Sequence, residues 1–449
     1  MQIVKHFSPS LLCLLLSLFV ASSADGQAHS VPLDSPTRTL RSWSEAKQLL
    51  DAHQPSLREA RASITRAHAG VKQALARLLP RIDVSAGTDF SPVYQSFGPR
   101  DEPAPHEILD FRSLVPNAGA ALSVTFSIAD LVQLESAEVG VDAETLGLRA
   151  TRHALIGTLA SSVLGVLAAE RVAARNHAGL EAARERMRLT ERLAAVGKLT
   201  ALDALRFSDD LSEAESAVIS ADETLFEVRE DLGGALGLPQ PVTVLQDFDV
   251  SAPAVGCKPL AQLRDRADRR AARKRAESAE LAERAAGLAY LPELRFVTQY
   301  EASYGGIGVL SPFDGERAVA HRWTASANVV WTVFEGGQRS ADSARAAAER
   351  LAAQAALDAT EIATSTEYRR AVRLVSVTRA SLDVALRSLE AAQKADTLSR
   401  KALELGSASA LELIDAARRL RSIESTVATR EVEWLAAQLR AQLAISDCG

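Results

Sequence analysis

Apolar positions recur along the chain with two spacings, one typical of helices and one typical of strands. Between residues 131 and 196 no proline occurs, and apolar residues such as Ile156, Leu159 and Val163 recur every three or four positions. This spacing predicts one long amphipathic helix. At 1.5 Å per residue the helix measures roughly 100 Å, which exceeds an ordinary globular helix and predicts packing beside other long helices.

Two segments near the start of the chain alternate instead between apolar and polar side chains. They cover about 81–90 and 119–128, and Leu79-Pro80 stands before the first of them. Strict alternation predicts two strands, each with one apolar and one polar face. The proline ends a helix that the sequence predicts from about Glu45, with a break near Pro55.

The same order of elements returns about 210 residues later, which indicates an internal duplication. Leu291-Pro292 precedes two further alternating segments, at about 293–304 and 322–334, and Gly336-Gly337 then leads into a second long helical pattern. The sequence therefore predicts a duplicated helix–strand–strand–helix repeat.

A glycine followed by a short polar stretch interrupts each long helical pattern near its far end. Both turns read Gly, two residues, Ser or Thr, Ala-Leu and an acid. This pattern is typical of a tight helix–turn–helix. The two helical hairpins are predicted at about 131–237 and 337–445, with tips at 197–203 and 406–412.

The N-terminus has the features of an export signal. Lys5 precedes the apolar run Leu11 to Val20, and Ser22-Ser23-Ala24 forms a small-residue cleavage site. Cys13 lies within the run and lacks the small residues expected before a lipoprotein cysteine. The predicted organisation is a signal peptide (1–24), an N-terminal tail (25–41), repeat 1 (42–239), a linker (240–258) and repeat 2 (259–446).

Composition and charge argue against several functional classes. Of the 449 residues 47% are hydrophobic but only 5% are aromatic, which is typical of long helices packed through small residues. The net charge of −6 does not favour a nucleic-acid partner. The basic run from Arg264 to Arg275 is interpreted as a solvated helix face paired with Asp265, Asp268 and Glu277. Neither a metal-ligand spacing nor a catalytic set appears, so we expect no enzyme and no cofactor.

Thirteen of the 21 aromatic residues lie in the two strand regions, which include the loops between the strands, for example Tyr300, Trp323 and Trp331. Strands with an apolar face and aromatic ends suit lipid on one side and water on the other. Such strands cross a bilayer only in a closed barrel, and the smallest barrels use about eight strands. The sequence therefore predicts a barrel that several copies of the chain share.

Cys257 and Cys448 are the cysteines that remain after removal of the signal peptide. Export permits a disulfide. Cys257 follows the first repeat and Cys448 follows the second, so the duplication predicts that both cysteines lie at the same height in the molecule. Two unrelated thiols remain the alternative.

The ordered set of motifs resembles the TolC-type outer-membrane efflux proteins, or outer membrane factors. The Leu-Pro pairs, Phe334-Glu335-Gly336-Gly337 and the two glycine tips carry the resemblance, which covers the whole mature chain. It implies a mainly α fold with β-strands, assembled as a homotrimer. A shared twelve-stranded barrel, with four strands from each chain, would lie in outer-membrane lipid above a periplasmic barrel of long helical hairpins.

The resemblance also implies the exit duct of a tripartite efflux pump or type I secretion system. The tips would dock a periplasmic adaptor (membrane fusion protein) and, through it, an inner-membrane pump. The expected docking residues are Gly197, Lys198, Thr200, Gly406, Ser407 and Ser409.

The family's gate positions correspond to Glu412 and Asp415 in the second tip and to Asp203 in the first. The two acids of the second tip would ring a constriction, and Asp203 would help to hold the closed state. A solvated helix face is the alternative for Glu412 and Asp415. The family's locking Arg and Tyr are Ala408 and Leu403 here, so the lock is expected elsewhere, with Lys198 or Arg206 as candidates.

Two other functional classes compete with the export duct. The first is a periplasmic coiled-coil adaptor or scaffold without a pore, and the second is a secreted structural protein. The alternating strands in both repeats favour the duct. The sequence does not decide whether a drug, a metal or a protein is exported.

Overall fold

The structure, a computed structural model, describes residues 38–93, 111–195, 200–245, 248, 257–305, 318–405 and 407–448. The predicted signal peptide (1–24) and most of the N-terminal tail and linker lie outside these ranges. The first repeat comprises β1 (Arg38–Leu40), α1 (Trp43–His53), α2 (Pro55–Leu78), β2 (Arg81–Val93), β3 (Phe111–Phe126), α3 (Ile128–Ala195), α4 (Ala201–Leu236) and β4 (Val242–Val244). The second comprises β5 (Lys258–Pro259), α5 (Ala267–Leu288), β6 (Glu293–Gly305), β7 (Ala318–Val330), α6 (Gln338–Glu404), α7 (Ala410–Leu443) and β8 (Ser446–Asp447).

The four long strands form one antiparallel sheet in the order β2-β3-β6-β7. Ile82 pairs with Leu122, Leu122 with Thr298, and Thr298 with Ala325. Paired residues of antiparallel strands share a face, so the alternation of each strand adds up to one continuous apolar face. That face is uncovered, because Val84 is 81% exposed.

The predicted strands differ from the structure at several ends. β2 extends to Val93, and β3 and β7 begin earlier than predicted, at Phe111 and Ala318. Two predicted strands also end earlier. Ile128 begins α3 instead of ending the second strand, and Trp331 follows β7 instead of lying within it. In both cases the alternation continues in the sequence, but the partner strand has ended. β6 begins at Glu293 because Pro292 has no backbone N–H to donate to the ladder.

The long helices leave the sheet on one side and pack in an ordered row. Near the sheet α3 packs against α2 and α5, and further away it packs against α4 and α7. α6 packs against α5 and α7. One end of the row therefore consists of α2 and α4 from the first repeat, and the opposite end consists of α6 from the second repeat.

One helix of the described ranges, within Ile128–Arg192, is long and apolar enough by composition to cross a membrane. This contradicts the interpretation from the sequence that no stretch beyond the export signal is long and apolar enough for a transmembrane helix. Ile156, Leu159 and Val163 of this helix are almost fully buried.

The main apolar core lies about midway along the helices, where the two repeats meet. Leu50, Leu159 and Leu236 are fully buried there, and Trp43 packs edge-to-face on Phe248 with ring centroids 5.0 Å apart. α1 joins this core and ends before Pro55, as the predicted break requires.

A glycine allows α1 to lie close to the end of α4. Gly237 has a φ of +76°, and an added Cβ would lie 2.7 Å from the carbonyl oxygen of His53. Both features exclude a larger side chain at this helix end.

Cys257 and Cys448 are joined by a disulfide with a Cα–Cα distance of 4.1 Å. The bond stands beside the short β5–β8 ladder, in which Lys258 pairs with Asp447. It therefore closes a covalent loop around the whole second repeat.

We expect Cys257→Ser combined with Cys448→Ser to lower the thermal midpoint of the extracted protein. Opening a loop of this length costs at most about 5 kcal/mol in the chain-entropy model. Reductant should lower the wild-type midpoint to that of the variant and leave the variant unchanged. Equal midpoints for both proteins without reductant would contradict this role of the disulfide.

Candidate functional site: the sheet and the helical tips

The apolar face of the sheet ends in aromatic side chains at two levels. Tyr300 and Trp323 pair across β6 and β7, whereas Trp331 and Tyr290 lie at the helix end of the sheet. Trp323 and Trp331 are separated along the chain by about 26 Å at the rise of a strand, which is close to the height of an apolar membrane band.

Tyr300, Trp323 and Trp331 each have a hydrogen-bond partner for their polar side-chain atom. The indole N–H of Trp323 donates to Thr298 Oγ1 at 2.8 Å, and that of Trp331 donates to the carbonyl oxygen of Tyr290 at 3.2 Å. Tyr300 Oη lies 2.7 Å from His321 Nδ1. Rings with satisfied polar atoms suit the two boundaries of a bilayer.

The opposite face of the sheet is polar. Arg295 lies on it beside Glu293, at 2.7 Å, and Arg81 lies on it beside Asp83, at 2.9 Å. A sheet with one apolar and one charged face suits lipid outside and water inside.

The second helical tip is held by local hydrogen bonds. The backbone N–H of Ser407 donates to the carbonyl oxygen of Ala402 at 2.8 Å and closes α6. Ser409 then caps α7, because its Oγ accepts from Glu412 N at 3.3 Å while a Glu412 carboxylate oxygen accepts from Ser409 N at 2.9 Å. This reciprocal pair is a capping box, which fixes the start of the helix.

The first tip repeats the same device. Thr200 Oγ1 accepts from Asp203 N at 3.2 Å, and the Asp203 carboxylate accepts from Thr200 N at 3.1 Å. Hydrogen bonds from Thr200 hold the pKa of Asp203 below its usual range. The predicted docking residues Gly197, Lys198 and Gly406 lie outside the described residues.

The structure places Glu412 and Asp415 together on one exposed face of α7. The neighbouring Leu413 and Ile414 point the other way and are 1% and 2% exposed. Two carboxylates one turn apart on an open face attract cations when copies of that face meet around a narrow passage.

The predicted lock residues do not bridge the two hairpins in the described ranges. The hydrogen bonds of Asp203 go to Thr200 and to Arg206, which lies at 3.4 Å on the same helix. Arg206 is therefore engaged within the first tip. Lys198, the other candidate, lies outside the described residues.

A comparison with models of protein families identifies the family. The model of the outer membrane efflux protein family matches residues 47–238 and 261–445, one match in each repeat. The chain belongs to the outer membrane efflux protein family. The comparison with curated proteins gave no match.

Several solved structures share the fold. A membrane protein from Pseudomonas aeruginosa is 19% identical, with a TM-score of 0.74 over 90% of this chain and 93% of that one. The CmeC outer membrane channel of Campylobacter jejuni is 15% identical, with a TM-score of 0.73 over 90% and 85% of the two chains. The outer membrane protein VceC of Vibrio cholerae is 18% identical, with a TM-score of 0.73 over 90% and 95%.

Family membership establishes the class of function. The chain is an outer-membrane channel of efflux systems, with a large periplasmic helical part, and it is not an enzyme. The comparisons give no support to a scaffold without a pore. The fold of this family, a helical tunnel joined to a β-barrel, is the predicted one.

An apolar cluster joins the two tips of this efflux protein, and the sequence analysis missed it. Phe207 of the first hairpin packs against Leu413 and Ile414 of the second, with Met187 and Leu403 around them. Leu403, which the sequence analysis expected at the position of the family's locking Tyr, packs against this apolar cluster.

A buried ion cluster lies next to the apolar cluster, further from the tips, and also joins the two hairpins. Asp210 of α4 is 1% exposed. It accepts from Arg186 of α3 at 3.0 Å and from Arg421 of α7 at 2.6 Å. A charge this deeply buried is tolerated only when it is paired, so the three residues depend on one another.

A glycine gives Arg421 its path to Asp210. A Cβ on Gly179 would lie 2.7 Å from Arg421 Cδ, so the arginine stem crosses α3 where that helix has no side chain. The long side chain of Arg421 in the second repeat therefore packs against Gly179 of the first repeat, which has no side chain.

Burial by itself would raise the pKa of Asp210. Hydrogen bonding and charge from Arg421 and Arg186 outweigh burial and hold that pKa below its ordinary value. A depressed pKa means that the carboxylate stabilises the fold above its unfolded pKa of about 4 and loses this effect as the pH falls through the folded pKa.

The basic run of α5 also has structural partners. Arg266 bonds Asp268 and also reaches Glu367 of α6 at 3.1 Å, and Arg269 reaches Glu361 at 3.1 Å. These pairs lie partly between helices, whereas the sequence analysis expected them within α5 alone. They account for the basic run without an external anion.

We expect Asp210→Asn to destabilise the hairpins by about 3 kcal/mol or more, because it leaves the buried Arg186 and the partly buried Arg421 without this counter-charge. The neighbouring Asp209→Asn is the matched control. Asp209 bonds only Arg418 in the described ranges, and its side chain is 76% exposed, so the expected loss is at most about 1 kcal/mol. Thermal unfolding of both variants measures the difference.

The same comparison has a predicted pH dependence. The deficit of Asp210→Asn relative to wild type should be constant at neutral pH and should shrink below about pH 4. Equal deficits for Asp209→Asn and Asp210→Asn at neutral pH would contradict the importance of the buried cluster.

Proposed function

We propose that three copies of this efflux protein close into one ring, which forms a twelve-stranded barrel in the outer membrane and a helical tunnel below it. The order of the sheet carries this proposal. β2 and β7 are left as open edges, and four strands are about half of the smallest closed barrel. In lipid each open edge needs a partner, so β7 of one copy pairs with β2 of the next.

The helices support the same closure. α2 and α4 end the helical row on the side of β2, and α6 ends it on the side of β7. A single rotation between copies therefore joins the strand edges and the helix edges at once. An interface between two different surfaces of one chain forms a ring when the rotation closes.

The tips are the proposed docking surface for a periplasmic adaptor, and through it for an inner-membrane pump. Each long helix extends roughly 100 Å from the sheet, so the tips lie far from the membrane that holds the barrel. Leu202 and Leu405 are 56% and 84% exposed beside the polar docking residues. Exposed leucines rimmed by polar groups are typical of a protein–protein contact.

Glu412 and Asp415 are the proposed gate. In the trimer their exposed face would line the narrow end of the tunnel with six carboxylates. Asp203 contributes by fixing the first tip through its capping box, beside the apolar cluster that joins both tips.

The mass of the protein extracted from outer membranes in mild detergent tests the closure. We expect about three times the mass of one chain after correction for detergent, because only complete closure satisfies every strand edge. A folded protein with the mass of a single chain would contradict the proposal.

Channel conductance in planar bilayers tests the gate. We expect Glu412→Gln with Asp415→Asn to lower the preference for cations over anions several-fold, because six carboxylates leave the constriction. Glu185→Gln with Glu191→Gln is the matched control, since it removes the same charge from exposed positions of α3. Unchanged selectivity in the first variant would remove Glu412 and Asp415 from the gate.

A further inference from the structure

The two open helix edges of the protomer expose large apolar side chains. On α4, Leu205 is 68% exposed and Ile219 is 71% exposed. On α6, Leu398 is 68% exposed and Val384 is 54% exposed. Exposed side chains of this size on long amphipathic helices indicate a surface that another helix covers.

These residues have the same spacing on both helices. Leu205 and Ile219 are two heptads apart, and so are Val384 and Leu398. A separation of two heptads keeps side chains on one stripe of a coiled-coil helix. The apolar stripes on α4 and α6 therefore have the same length.

The heights of the residues above the tips also match. The apolar cluster around Phe207 and the bond between Asp210 and Arg421 place both tips at one level. Leu205 and Leu398 then lie roughly 6 and 9 Å above the tips, and Ile219 and Val384 lie roughly 27 and 30 Å above them.

We propose that α4 of one copy and α6 of the next form an antiparallel coiled-coil seam with a defined register. In this seam Leu205 packs against Leu398, Ile219 packs against Val384, and Glu223 forms an ion pair with Arg387. The inference rests on the proposed trimer and specifies how its subunits meet.

Charge complementarity supports a contact between these two helices. Glu223 and Arg387 are both exposed, and in the described part of the protomer neither has an ionic partner. Glu223 lies one turn above Ile219, and Arg387 lies just below Val384. With Ile219 level with Val384, the Cα atoms of Glu223 and Arg387 differ in height by roughly 10 Å.

The directions of the two side chains close that gap. Helical side chains lean toward the N-terminus of their helix. α4 begins at the tip, so Glu223 leans toward the tip, whereas α6 begins at the sheet, so Arg387 leans away from the tip. The carboxylate and the guanidinium group therefore converge.

One competing register is a slip of one heptad. Ile219 would then face Ala391, and Glu223 would lie level with Arg387. Ala391 offers less apolar surface than Val384, and the facing residues would then differ in height above the tips by roughly 8 Å instead of roughly 3 Å. The first register therefore buries more apolar surface and agrees better with the heights above the tips.

Cysteine cross-linking in the full-length trimer tests the register. We expect Ile219→Cys with Val384→Cys to give covalent dimers and trimers on non-reducing gels, and Ile219→Cys with Ala391→Cys to give roughly tenfold less, because the second pair is displaced by about 10 Å. Stronger cross-linking of the second pair would overturn the proposed register. A trimeric wild type in which neither pair cross-links would overturn the seam.

A charge exchange tests the ion pair. Glu223→Arg and Arg387→Glu should each reduce the trimer fraction, because every interface would then carry two facing like charges. The double exchange should restore that fraction. If each single variant is as trimeric as wild type, Glu223 and Arg387 do not meet.

The two proposals fail in different ways. A wild-type protein that is not a trimer in detergent contradicts the proposed ring. A stable wild-type trimer with the wrong cross-linking pattern contradicts only the seam.

Discussion

An open strand edge in a lipid environment is the constraint on which the rest of this structure depends. Each unpaired N–H or C=O group in hydrocarbon costs several kcal/mol, so a four-stranded membrane sheet cannot remain alone. The duplicated chain has two strand edges that can pair between copies, because β2 lies at one edge of the sheet and β7 at the other. The helices follow the same division between the repeats, with α4 at one end of the row and α6 at the other. In the proposed trimer the chain forms one third of the closed barrel.

The tip region shows how one protomer holds itself together before it meets its neighbours. The capping boxes at Thr200 and Ser409 are local, and each fixes the start of one helix. The Phe207 cluster and the Asp210 ion cluster reach across the two repeats instead. An opening movement at the tips therefore has to keep or break the Phe207 cluster and the Asp210 ion cluster, and breaking the buried ion cluster costs much more free energy. Movement is therefore favoured between Asp210 and the tips over movement between Asp210 and the sheet.

Much of the fold could be predicted from hydrophobic periodicity, because both strand pairs and both long hairpins have clear two-residue or heptad-like spacing. The ends of strands were less predictable, since Ile128 and Trp331 continue an alternation whose partner strand has stopped at Pro292. The capping boxes had a recognisable sequence signal, which is Thr or Ser followed three residues later by an acid. The sequence analysis assigned these acids only to the gate and to the closed state, and so missed their capping role. Asp210 had no such signal. It follows the exposed Asp209 directly, and only packing against α3 and α7 distinguishes the two.

Electron microscopy of the protein extracted from outer membranes tests the central claim most directly. The account predicts a three-fold symmetric hollow cylinder, with a barrel at one end and a helical tunnel of roughly 100 Å below it. In this cylinder every strand edge would be paired between copies. A particle whose barrel closes within a single chain, or a two-fold coiled coil without a membrane-embedded end, would contradict it.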